Sequence, residues 1–132
     1  MATLQPNSDA EVSIKEQGTL KIYVDILAIT ATGTASHNLR VPTGKKWNVK
    51  QILSEKQSGT FTISSLGTYF VDEATQNILL DSDTTNPNNV ELQVNNGTTL
   101  PQMWSIQQNI GVTAFTTTGN VKMAILVMES DV

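Results

Sequence analysis

The sequence predicts an all-β fold: a two-sheet sandwich of about eight strands, with jelly-roll or Greek-key connections, behind an extended N-terminal arm. Three observations point to it. Apolar residues recur at every second position through most of the chain, the period of a half-buried strand. The eight glycines fall almost wholly between those runs, where turns need them. No stretch of ten or more residues carries helical spacing. One hairpin-rich sheet would leave an apolar face uncovered, whereas two packed sheets cover it. At 132 residues the chain suits one domain, read as a polar arm over 1–17 and a single sandwich over 18–132.

The elements follow in order. In the arm, Glu11-Val12-Ser13-Ile14-Lys15 is the one alternating piece. Leu20, Ile22, Val24 and Ile26 then share one strand face, and Lys21, Tyr23 and Asp25 share the other. The run Ile29 to Thr34 closes that strand with small residues. Asn38-Leu39-Arg40-Val41 begins a second strand, and Pro42-Thr43-Gly44 breaks it: proline ends the ladder and glycine accepts positive φ. Lys46 to Lys50 restarts the alternation, with Trp47 and Val49 on one side. Beyond it, strict parity turns Gln51 inward beside Leu53, while a bulge near Gln51 turns Ile52 inward instead. Ser58-Gly59 marks a turn. Phe61 and Ile63 share a face, and Gly67 is read as that strand's end. Asp72 to Gln76 reads as a hairpin loop, or as one helical turn beginning at Asp72. Asp81 to Asn89 reads as a polar loop. Val90, Leu92 and Val94 alternate before Asn95-Asn96-Gly97, the composition of a tight hairpin turn. Trp104, Ile106, Ile110, Val112 and Ala114 share parity. After the turn Thr117 to Asn120, Val121, Met123, Ile125 and Val127 line one face of the last strand. Ala124, Leu126 and Met128 line its other face, so that strand asks for cover on both sides, by the core and by a partner subunit.

Composition excludes several functions. The chain has no cysteine, hence no disulfide, thiolate metal site or cysteine nucleophile. Its net charge is −4 and its basic residues are scattered, which disfavours nucleic acid and anionic membrane as partners. No apolar run approaches a membrane span, and the first residues lack the basic and apolar regions of a secretory signal. Charged residues make up only 15% of the chain. A polar, weakly charged surface suits assembly, since charge is what keeps small proteins apart; it also suits sugar binding.

Little in the sequence points to chemistry. His37 is the sole histidine, read as a surface residue, and no nucleophile–base–carboxylate set accompanies it. No catalytic residue, metal ligand set or cofactor is expected. The weak calcium candidate is Asp81 with Asp83, which lacks the glycine and distal glutamate of a calcium loop. Trp47 and Trp104 run in parity with aliphatic neighbours and read as core. Tyr23, beside Lys21 and Asp25, is the candidate surface contact. The interface candidates are therefore Leu4, Val12 and Ile14 in the arm, Tyr23, and Ala124, Leu126 and Met128.

The segment Val41-Pro42-Thr43-Gly44-Lys45-Lys46-Trp47-Asn48-Val49 resembles the strand, Val-Pro-x-Gly-Lys turn and aromatic–aliphatic strand of small β-sandwich virion proteins of tailed bacteriophages. The closing Gly119-Asn120-Val121 through Met128-Glu129 is similar to their last strand. The resemblance covers residues 36–63 and 110–129. It implies a capsid decoration (cement) subunit: non-enzymatic, without cofactor, homo-oligomeric with a trimer favoured, and bound to the major capsid protein or another virion protein. It also implies a place on the capsid surface of the virion after assembly in the host cytoplasm. The alternative is a carbohydrate- or receptor-binding module of a tail or fibre.

Overall fold

A computed structural model describes residues 18–72, 77–85, 87–94 and 99–132. The expected arm, with Leu4, Val12 and Ile14, lies outside them, as do most of the loop after Asp72 and the Asn95–Gly97 segment. The described residues form nine strands and no helix: β1 (Thr19–Ile29), β2 (Gly33–Arg40), β3 (Lys45–Lys56), β4 (Thr60–Val71), β5 (Asn77–Asp83), β6 (Asn89–Gln93), β7 (Thr99–Leu100), β8 (Ser105–Thr117) and β9 (Gly119–Asp131).

One sheet has the order β1-β9-β3-β6, with β7 also on β3, and the other the order β2-β8-β4-β5. Every pairing is antiparallel. The pairs nest: β4 with β5, β3 with β6 and β7, β2 with β8, and β1 with β9, as if one long hairpin had been rolled up. That is jelly-roll connectivity. Nine strands agree with the expected count of about eight, and β6 and β7 are two pieces of one edge. Both run antiparallel to β3, at Gln51–Glu55 and at Trp47–Asn48. β6 and β7 therefore run in the same direction along β3, and the Asn95–Gly97 turn expected between them lies outside the described residues.

The Val-Pro-Thr-Gly-Lys corner forms as its residues dictate. The Lys45 amide donates to the Pro42 carbonyl at 3.1 Å, and Gly44, third in that turn, has φ of 82°, a value that suits glycine. A bulge lies between Val49 and Gln51 in the β3–β9 ladder, so Ile52 turns inward and is buried. Two expected boundaries move. β2 begins at Gly33, because residues 33–40 pair with β8 along their whole length. β4 passes through Gly67, where the Tyr69 ring occupies the space beside the missing side chain and β8 continues the ladder. Ala114 leaves the inward parity: it is exposed, with φ of 50°, beside register shifts in the β4–β8 ladder.

The core has two apolar halves. One gathers Trp47, Val49, Ile52, Phe70, Ile106, Ile125 and Val127 with other side chains; the other gathers Ile29, Phe61, Ile63, Leu66, Ile110, Val112 and others. A row holding the buried polar side chains of His37, Ser54, Thr68 and Gln108 crosses between them, with Met123 of the first half inside it. Asp25, Met123 and Ser54 are successive register partners in one sheet, and His37, Gln108 and Thr68 in the other. His37 is fully buried, which corrects its reading as a surface residue. Its Nδ1 hydrogen-bonds Asp25 Oδ2 at 2.6 Å, and Gln108 Nε2 donates to Thr68 Oγ1 at 3.2 Å. A buried imidazole needs such a partner, and a carboxylate on the adjacent edge strand supplies it.

Candidate interaction surface

The side chains of β1 face the opposite way from a simple amphipathic reading. Lys21, Tyr23 and Asp25 turn toward the sandwich, and the aliphatic row turns to solvent. Leu20 is 59% exposed, Ile22 68%, Val24 51% and Ile26 49%. Partners on the other face explain the inversion. Tyr23 packs on Trp47, ring centroids 5.0 Å apart, and Asp25 holds His37. Tyr23, expected as a surface contact, thus anchors the core.

Beneath Tyr23 sits a carboxylate the sequence reading overlooked. Glu129 accepts from Lys21 Nζ at 2.7 Å, from the Tyr23 hydroxyl at 2.5 Å and from Trp47 Nε1 at 2.9 Å. Burial pushes its carboxyl up, but the three donors outweigh burial and bring it down to about 2. Burial, with Glu129 adding to it, also raises the Tyr23 phenol. A carboxylate so fully donated is a weak base and a poor nucleophile; it clamps β1, β3 and β9 together. Its signal was present in the parity of the last strand: two positions beyond Val127 on the inward face is Glu129.

The outer face of the same sheet is the candidate surface. Leu20 lies opposite Met128, Ile22 opposite Leu126, Val24 opposite Ala124 and Ile26 opposite Lys122. On the far side of β9, Leu126 meets Gln51 and Ala124 meets Leu53. Ala124, Leu126 and Met128, the candidates from the last strand, are half-buried there. With the β1 row they make one aliphatic band three strands wide, dipping into a shallow depression lined by Ile22, Gln51, Leu53, Ala124 and Leu126. Polar pairs rim the band: Lys122 lies 3.9 Å from Glu55, and Gln51 bonds Glu91. Isolated exposed aliphatics are ordinary, but a contiguous, polar-rimmed patch marks an interaction site.

The calcium candidates do not form a loop. Asp81 and Asp83 both lie within β5, and Asp83 Oδ1 accepts the Thr85 amide at 2.9 Å. No group of three or more His, Asp or Glu side chains among the described residues is placed to hold a metal ion.

No family model matches the chain, and no curated protein matches it. Among solved structures it is similar to the SPBc2 prophage-derived protein YomS, at a TM-score of 0.44 and 15% identity, over 79% of this chain and 95% of that one. A likeness of that degree carries no argument about function.

Proposed function

We propose that the protein is a structural subunit of a bacteriophage particle, of the head-decoration kind, that works by docking. The observation that carries the reading is the uncovered aliphatic band of β1, β9 and β3. The phage assignment rests on the resemblance of Val41–Val49 and of the closing strand to small virion proteins. The mechanism is mechanical: each copy buries its band against a neighbouring subunit, and many copies on one shell add their attachments. No single contact then needs to be strong.

Sugar binding calls for an exposed ring beside amide groups. Phe61, Phe70, Phe115, Trp47, Trp104, Tyr23 and Tyr69 are all the aromatic residues of the chain, and each is buried or half-buried. No observation therefore favours the alternative.

The test is co-sedimentation of the purified protein with particles encoded by the same genome. Binding to heads, abolished by Leu126→Lys, supports the proposal. Failure to bind heads or tails overturns it, and selective glycan binding by a protein that ignores particles favours the sugar reading instead.

A further inference from the structure

The edge strand β1 carries a pattern of its own. Among the described residues it is the outermost strand of its sheet and pairs only with β9, so one of its edges presents backbone groups that no described strand pairs. Natural proteins protect long edges with proline, bulges, charged side chains (inward-pointing ones among them) or a covering segment. β1, eleven residues long, has no proline and no bulge in its ladder with β9, and its outward-facing Leu20, Ile22, Val24 and Ile26 are all aliphatic. Its only charges, Lys21 and Asp25, lie on the inward face at the rim, with side chains 45% and 35% exposed.

Those two charges select a partner. When an antiparallel strand pairs with its own copy, the two-fold axis decides which side chains meet. An axis at Lys21 sets lysine against lysine, and an axis at Asp25 sets aspartate against aspartate, both unfavourable. An axis at Tyr23 sets Lys21 against Asp25 of the second copy and Asp25 against its Lys21. On the outward face the same register sets Ile22 against Val24 of the copy and Leu20 against its Ile26. Aliphatic and opposite-charge pairs directly across a ladder are the stabilising ones.

We propose that β1 pairs antiparallel with β1 of a second copy about a two-fold axis at Tyr23, joining the two larger sheets into one. The sequence is self-complementary in that register, as a two-fold interface requires. The Lys21 ammonium has two further donors besides the one on Glu129, so it reaches the second copy without leaving its clamp. The joined sheet carries the aliphatic rows of both copies side by side and doubles the band available for docking. The inference rests on the reading of that band as a docking surface, and it adds the dimer, where the resemblance implied a trimer.

The absence of cysteine makes the register testable. Residues directly opposite in an antiparallel pair have Cα atoms roughly 4.5–5.5 Å apart, within the reach of a disulfide. The full chain carrying Ile22→Cys, mixed with the full chain carrying Val24→Cys, is expected to give a disulfide-linked dimer on mild oxidation, faster than either alone. The unmodified protein is expected to sediment as a dimer. Ile22→Lys is expected to weaken dimerisation by roughly tenfold or more with unchanged circular dichroism. A trimer, or a monomer up to about 1 mM (the outcome if residues 1–17 cover this edge), overturns the proposal. So does linkage by Ile22→Cys alone as fast as in the mixture. A dimer that fails to bind particles counts against the docking function and leaves the pairing standing.

Discussion

Replacing Glu129 by glutamine tests the clamp at the end of the sandwich. Glutamine keeps the shape of the side chain and removes its charge, so it stands in for the protonated carboxyl. The folded carboxyl titrates at about 2 against an ordinary value of 4.5, and a difference of that size corresponds to about 3 kcal/mol of stability at neutral pH. The Glu129 side chain is only 4% exposed, but Lys21 is 45% exposed, so solvent screens part of the pair and the figure is a ceiling. The sign follows from proton binding. The unfolded chain takes up the proton at higher pH than the folded one, so the contribution is complete above pH 4.5 and is lost as pH falls toward 2. By pH 3 about 1 kcal/mol of it remains. Urea unfolding of both proteins at pH 7 and pH 3, followed by Trp fluorescence, measures the difference directly. The wild type is expected to exceed Glu129→Gln by about 2–3 kcal/mol at pH 7 and by clearly less at pH 3. A gap that is the same at both pH values refutes the argument, because it would show that the carboxylate's charge contributes nothing.

Three further outcomes are expected. Gly119→Ala would bring a Cβ to 1.9 Å from the Ser58 carbonyl oxygen, forcing the β3–β4 corner off the start of β9; a loss of about 1–3 kcal/mol in urea unfolding is expected. Asp25→Ala removes the partner of His37 Nδ1 and is expected to cost about 1–3 kcal/mol by the same assay. Ile22→Lys, at an exposed position, is expected to change monomer stability by less than about 0.5 kcal/mol while weakening self-association, so urea unfolding and sedimentation should separate the two effects.

Much of the architecture was legible in the residues. Alternation and punctuation located most strands, the Pro42–Gly44 corner formed as its composition dictates, and the parity of Trp47 with Val49 put the tryptophan in the core. Other features were not legible. β6 and β7 run along one edge of β3, because the whole of β3 was available as a template. Gly67 looked like a strand end, but pairing with β5 and β8 on both sides carries β4 through it.

The residues of this chain determined by themselves that it would be a two-sheet sandwich, which side chains share a face along most strands, and that no cysteine chemistry was available. Only the tertiary structure decided which face of β1 meets the core. Period two sorts side chains into two sets, and aliphatic content alone would send Leu20, Ile22, Val24 and Ile26 inward. The other set won because its partners lie far along the chain: Glu129 takes Lys21 and Tyr23, Trp47 takes the Tyr23 ring, and His37 takes Asp25. Hydrogen bonds from Lys21, Tyr23 and Trp47 to Glu129, and between Asp25 and His37, hold the inner face, and the aliphatic row is left on the outside, where a second protein can cover it.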